Sequence, residues 1–210
     1  MQLPERGEKL APLGVILAGG QATRMGGGDK ALLDLGGTPM LAHVIRRLRP
    51  QVAGLALNAN DDPARFAGFG LPVLPDSLPG FPGPLAGVLA GLDWAAREGA
   101  SHIVTAAADT PFLPTGLVST LGAAAKREHA PIALAATSSG LHPTFGLWPV
   151  SLRDDLRLAL EAGARKVAAW ALGQGAARAD FPDTPQDPFF NVNTPEDLAL
   201  ARARLAGGRA

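Results

Sequence analysis

Lys30 and Asp109 are the residues on which chemistry most readily rests. Lys30 closes a stretch, Gly19-Gly20-Gln21-Ala22-Thr23-Arg24-Met25-Gly26-Gly27-Gly28-Asp29-Lys30, that holds five glycines and, with Arg24, two cations. Glycine lets backbone approach a ligand closely, and the cations favour an anion, a phosphate above all. The alternative is an ordinary glycine-rich turn with solvated charges. Ala31 follows Lys30 where a P-loop needs Ser or Thr, and the Gly-x-Gly-x-x-Gly spacing of a dinucleotide site is missing. Asp109 comes at the end of an apolar run beginning at His102. Its carboxylate suits Mg²⁺, which in phosphate complexes takes only one or two protein carboxylates. Against that stands an Asp that merely caps the Thr110-Pro111 turn.

Other residues are candidates of the same kind. Asn58 ends the run Leu55-Ala56-Leu57 and offers donor and acceptor to a base or sugar, although Asn also begins turns. Asp76 follows Leu71-Pro72-Val73-Leu74-Pro75 and could accept from guanine N1–H and N2–H₂ or from a ribose hydroxyl, or could simply cap its loop. Asn191-Val192-Asn193-Thr194-Pro195 ends at a helix N-cap, where free N–H groups favour anions. Arg165-Lys166 could receive a second phosphate or be an exposed helix start. The four histidines have no paired zinc spacing and no serine elbow. His43 and His129 read as helix surface or core edge, whereas His142, before Pro143-Thr144, is a possible substrate contact. Trp94, Trp148 and Trp170 read as core.

The elements that must position these residues follow from periodicity. Short apolar runs at Val15–Leu17, Leu55–Leu57, Leu71–Leu74, His102–Ala106 and Ile132–Ala136 read as strands. Between them lie helical patterns: Met40, Leu41, Val44, Ile45 and Leu48, opened by Thr38 as N-cap with Pro39 first; Leu85, Val88, Leu89 and Leu92; and about Pro114 to Glu128. His142–Trp148 could be a further strand, with Pro143 arguing for an edge or an irregular start. Helices around Leu152–Leu160 and Val167–Ala171, a strand at Ala176–Phe181 and a helix capped by Thr194 complete the chain. Alternating strands and helices imply a mostly parallel sheet covered on both faces. Ligands of such sheets bind beyond the carboxyl ends of the strands, where Gly19, Asn58 and Asp109 would gather.

Composition narrows the class. The 210 residues fit one domain, 13–210, behind a polar extension, 1–12, that lacks the apolar character of a signal peptide. Nineteen basic and nineteen acidic residues cancel, which speaks against nucleic-acid or membrane-surface binding. With no cysteine, disulfides and thiolate metal sites are excluded. No run approaches the roughly 18 apolar residues of a membrane span, so a cytoplasmic location is the expectation.

The series Leu17-Ala18-Gly19-Gly20-x-x-x-Arg24-Met25-Gly26-Gly27-x-Asp29-Lys30, Asn58-Ala59-Asn60, Asp76-Ser77, Pro82-Gly83-Pro84-Leu85-Ala86-Gly87, Asp109-Thr110-Pro111, His142-Pro143-Thr144 and Asn191-Val192-Asn193-Thr194-Pro195-Glu196 resembles the molybdenum cofactor guanylyltransferases. The resemblance implies a three-layer α/β/α fold with a Rossmann-like, mostly parallel sheet of the nucleotide-diphospho-sugar transferase type. It implies transfer of GMP from GTP to the phosphate of molybdopterin, the pterin of the molybdenum cofactor, with release of pyrophosphate. By position it puts Leu17, Ala18, Gly19, Gly20, Lys30, Asn58, Asp76 and Asp109 on GTP, and Asp109 also on Mg²⁺. Arg24, Lys30 and Asp109 would be the catalytic groups. His142, Arg165, Lys166, Asn191 and Asn193 fall on the pterin side, and molybdoenzyme-specific chaperones are possible partners. Similar cytidylyltransferases usually carry Leu-Ala-Ala-Gly at the first motif, so Gly19 favours guanine. Some relatives hold metal with two aspartates where this chain has Asn191 and Asn193. Rival readings are a cytidylyl- or sugar-nucleotidyltransferase on the same fold, or an inactive nucleotide-binding adaptor.

Overall fold

The computed structural model describes residues 11–19, 30–60, 62–78, 80, 83–183 and 185–207. Gly20 and Arg24, and most of the 1–12 extension, lie outside them. In chain order the elements are β1 (Leu13–Leu17), α1 (Met40–Leu48), β2 (Leu55–Asn58), β3 (Val73–Leu74), α2 (Pro84–Arg97), β4 (His102–Ala107), α3 (Leu117–Glu128), β5 (Ala133–Thr137), β6 (Gly140–Pro149), α4 (Arg153–Glu161), α5 (Val167–Gly173), β7 (Ala177–Asp180) and α6 (Pro195–Gly207). Three-residue 3₁₀ turns occur at Lys30–Leu32, Arg49–Gln51 and Val150–Leu152, and a longer one at Pro63–Phe69.

The strands form a single sheet in the order β3-β2-β1-β4-β6-β5-β7, parallel throughout except for β6. Successive strand residues point to opposite faces, and both faces are covered. Ile16, Val104 and Ala135 pack under α1 and α3 against Leu41, Val44, Leu48 and Leu117. Their neighbours Val15, Ile103 and Leu134 pack under α2, α4 and α5 against Leu89, Leu156, Leu160 and Ala171. This is the three-layer arrangement expected. A smaller cluster of Leu35, Met40, Val192, Leu198 and Ala201 fixes α6 beside the start of α1. None of the described helices is long and apolar enough to cross a membrane.

Three local expectations are decided, the first in favour of an irregular start to β6 and the second, the Thr38 cap, as a correction. β6 is not an edge strand, because it pairs antiparallel with β4 on one side and β5 on the other. Its register jumps from Gly146 opposite Leu134 to His142 opposite Ala135, and Pro143 falls inside that bulge, where a missing N–H costs no ladder bond. The first helix starts at Met40 with Pro39 in the cap position and no side-chain cap. The Thr38 hydroxyl instead meets His43 Nε2 at 2.8 Å. His43 is buried rather than at the surface: its Nδ1 accepts from Arg46 and its Nε2 reaches the Leu35 carbonyl. A carbonyl only accepts and a guanidinium only donates, so the ring is the neutral Nε2–H tautomer.

The parallel register brings the carboxyl ends of β1, β2, β3 and β4 to one edge, together with the amino end of β6. α2 lies close to that sheet because Gly87 and Gly91 face it. A Cβ on Gly91 would stand 2.8 Å from Val15, and one on Gly87 2.2 Å from the Asn58 carboxamide.

Candidate active site

Asp109 reaches the sheet edge through Ala107-Ala108, whose Ala108 N–H donates to Leu17 O at 3.1 Å. The Asp109 carbonyl in turn accepts from Val192 N–H at 2.9 Å, pinning the 191–193 segment over it. Val192 is buried, and the flanking Asn191 and Asn193 are exposed on the other side of the chain. The ensuing helix is closed by a reciprocal cap. Thr194 Oγ1 accepts from Asp197 N–H at 3.1 Å, and Asp197 Oδ2 accepts from the N–H groups of Asn193 and Thr194, each at 2.9 Å.

Lys30 joins these segments. Its Nζ donates to Asp109 Oδ2 at 2.6 Å and to Asn193 Oδ1, and its side chain is only 13% exposed. Ala31, buried beneath it in the 3₁₀ turn, anchors the lysine on the core. An ammonium has three donors, and with two acceptors among the described residues one donor remains for a ligand. Asn191 Oδ1 accepts from Thr110, whose hydroxyl also lies 3.3 Å from Asp109 Oδ1. Lys30, the end of β4 and the lead-in to α6 thus meet at a cluster of oxygens around one cation. Every donor there to a metal would be a hard oxygen, which fits Mg²⁺ and no soft metal. Among the described residues no group of three His, Cys, Asp or Glu is assembled. The fit is therefore to a cation held by one carboxylate, with amide oxygens beside it.

A second cluster lies at the ends of β2 and β3. Asp76 Oδ1 accepts from Asn58 Nδ2 at 2.9 Å and Oδ2 from Asn60 Nδ2 at 2.7 Å. Asn60 Oδ1 accepts from Asp76 N–H at 2.8 Å, and Asn58 Nδ2 also donates to Leu74 O at 3.1 Å. The carboxylate is held on both oxygens and retains lone pairs for further donors. Ala18 N–H is taken by Asn58 O at 2.9 Å, and Gly19 follows it with open space among the described residues where a Cβ would stand. Beyond Asp76, Ser77 Oγ donates to Asp93 Oδ2 at 2.6 Å, and Arg157 binds both oxygens of Asp93. Asn60, Asp93 and Arg157 were not singled out by sequence. Only Asn60 carries a signal, its place two residues after Asn58.

The expected pterin-side residues divide. Asn191 and Asn193 belong to the Lys30–Asp109 cluster. His142, at the amino end of β6, meets Thr137 Oγ1 at 2.8 Å and stacks on Phe189 with ring centroids 4.5 Å apart. Burial holds its pKa below the ordinary 6.5, with Asp187 opposing the shift and Arg178 adding to it. Arg165 closes the end of α4, donating to Ala164 O at 2.8 Å and Leu160 O at 3.3 Å. Lys166, exposed just before α5, makes no side-chain hydrogen bond or ion pair among the described residues.

Comparison with known proteins agrees with this geometry. Residues 14–177 match the MobA-like NTP transferase domain. A molybdenum cofactor guanylyltransferase of Bradyrhizobium sp. (strain ORS 278) is 55% identical over 196 residues, 92% of each chain. One of Rhodopseudomonas palustris (strain BisB5) is 56% identical over 190 residues, 89% of this chain and 90% of that one. The chain belongs to the molybdenum cofactor guanylyltransferase family. Membership makes it a nucleotidyltransferase, and solved structures agree on the fold. Molybdopterin-guanine dinucleotide biosynthesis protein A of Archaeoglobus fulgidus superposes with a TM-score of 0.73 at 22% identity, covering 93% of this chain and 99% of that one. A CMP:2-keto-3-deoxy-manno-octonic acid synthetase in complex with CTP gives 0.68 at 16% identity, covering 95% and 99%. In this guanylyltransferase chain the domain match stops at residue 177, before Asn191 and Asn193, and the hydrogen bonds from Lys30 and Thr110, with that from Val192 N–H to Asp109 O, attach that segment to the site.

Proposed function

We propose that the protein transfers GMP from GTP to the phosphate of molybdopterin, forming molybdopterin guanine dinucleotide and pyrophosphate. The single observation that carries this reading is Lys30 bound to Asp109 and Asn193 at the carboxyl edge of the sheet, beside the Asn58–Asp76 pair. Asp76, oriented by Asn58 and Asn60, accepts from donors on the guanine edge or the ribose. Gly19, without a side chain, lets the nucleotide lie against the backbone at the end of β1.

Asp109 would hold Mg²⁺, with Asn191 and Asn193 offering neutral oxygens, and bound there Mg²⁺ supplies positive charge that neutralises triphosphate oxygens. Lys30 turns its ammonium from Asn193 to the phosphates and, with Arg24, stabilises the charge on departing pyrophosphate. An acceptor phosphate oxygen attacks the α-phosphorus in line, and the bond from that phosphorus to the pyrophosphate oxygen breaks. The nucleophile is already anionic at pH 7, so no residue need take a proton. His142, with Arg165 and Lys166, faces the pterin side. The chain works in the cytoplasm and delivers its product toward molybdoenzymes and their chaperones.

The test is pyrophosphate release with molybdopterin, Mg²⁺ and each nucleoside triphosphate in turn. Release with GTP alone, dependent on molybdopterin and abolished by chelation, is expected. Release with CTP in place of GTP overturns the choice of base, and none with any triphosphate overturns the reaction in favour of an adaptor.

A further inference from the structure

We infer that the pocket between α1 and α6 is a second anion site, apart from the Lys30–Asp109 cluster, which takes a phosphate or pyrophosphate group on Arg46, Arg47 and Arg204. The pocket is a cavity of about 760 Å³, bounded also by Phe112, Leu200 and Leu205. The segment 112–113 gathers the guanidinium groups. Arg47 donates to Leu113 O at 3.3 Å, and Arg204 lies over the Phe112 ring at 5.7 Å and the Phe190 ring at 4.3 Å. Arg46, next along α1, reaches His43 Nδ1 at 3.0 Å, and Arg204 donates to the Asp187 main-chain oxygen at 3.3 Å.

Each guanidinium so spends one of its five N–H donors on a neutral acceptor. Among the described residues none of the three is paired with a carboxylate, although Arg127, Arg153, Arg157, Arg178 and Arg202 all are. The chain as a whole balances nineteen cations against nineteen anions, so three unneutralised arginines around one concavity are a local excess. That excess is costly: burial, and then the adjacent Arg46 charge, lower the pKa of Arg47. A compact oxyanion relieves it, because planar N–H forks match phosphate oxygens.

Calorimetric titration of inorganic pyrophosphate without divalent metal tests this, using an Arg24→Ala/Lys30→Ala protein in which the glycine loop has lost both cations. One saturable equivalent is expected. Adding Arg46→Gln and Arg204→Gln should weaken it on the order of tenfold per arginine, one strong hydrogen-bonded contact each. Leu200→Glu, at a position 57% exposed and so safe for folding, should weaken it comparably by placing a carboxylate at the rim. Guanosine diphosphate separates the sources of the group. Equal affinity, weakened alike by the arginine changes, assigns the site to the phosphates alone, and tighter binding that those changes also weaken assigns it to a nucleotide; tighter binding that they leave intact belongs to the Asn58–Asp76 side and counts against the inference. No saturable binding, or binding that Leu200→Glu and the arginine changes leave intact, overturns the inference.

Discussion

Asp109 and Lys30 hold each other at 2.6 Å, so removing either leaves the other without its partner. Both are partly exposed, 25% and 13%, and water can solvate the orphan, so the fold should survive while the chemistry does not. Asp109→Ala is expected to lower GMP transfer by at least about 10²- to 10³-fold, the scale of losing one preorganised charge-stabilising group. Pyrophosphate release measured beside a thermal melt checks this, and unchanged turnover in a folded variant would remove Asp109 from the mechanism. His142 supplies a pH signature. Its folded pKa is depressed by burial, so the unfolded chain binds the proton more readily. Stability is then fully present above 6.5 and is lost as pH falls below that value toward the folded pKa. His142→Gln, which still can bond Thr137, should flatten the melting temperature between pH 7 and pH 5. A profile as steep as the parent's would show that another group titrates. Residues at strand ends, such as Asn58, Asp76 and Asp109, were legible because an apolar run announces each one. Asn60 holding Asp76, and Thr110 holding Asn191, were not, since residues 16 and 81 apart in sequence have no spacing to read.

Helix α2 sets the depth of the nucleotide side. Alanine at Gly87 or Gly91 gains about 1 kcal/mol of helix propensity, but overpacking costs about 1–3 kcal/mol, so both changes should lower stability or leave it level. They differ in what they strike. The Gly87 Cβ would meet the Asn58 carboxamide oxygen at 2.2 Å, the Gly91 Cβ only Val15 and Ile103 at 2.8 and 2.9 Å. Gly87→Ala should therefore raise the KM for GTP about tenfold, as expected from losing one good polar contact. Gly91→Ala should affect melting alone, and equal KM effects from the two would detach Asn58 from nucleotide binding. On the same helix, Asp93→Asn loosens Ser77 and Arg157 and should raise KM with little change in kcat. Kinetics of the three variants over a GTP series decide all of this. The helices and parallel strands were legible from periodicity alone. The place of β6 was not: Pro143 signals an interrupted ladder equally at an edge and in a bulge, and only pairing with both β4 and β5 distinguishes them.

At the scale of the whole molecule, the sheet order brings elements distant in sequence to one edge, where a nucleotide bound as proposed would clamp them together. β1, β2, β3 and β4 each end at the same edge, and the 191–193 segment closes on it through Asp109 O, Lys30 and Thr110. A ligand touching all of these stabilises the native state as a unit, by RT ln(1 + [L]/Kd). At a hundredfold excess over Kd that is about 2.7 kcal/mol, and for a domain of this size each kcal/mol moves the melting temperature by about 2–4 °C. GTP with Mg²⁺ should thus raise it by roughly 5–11 °C. CTP should fall well short, because Asp76 in its proposed role would accept from both N1–H and N2–H₂ of guanine, whereas cytosine offers a carboxylate only its N4–H₂. Asp76→Asn should erase most of the difference between the two nucleotides while leaving the smaller, phosphate-borne shift that Lys30 supports. A CTP shift equal to that of GTP in the parent protein would place base selection elsewhere than Asp76.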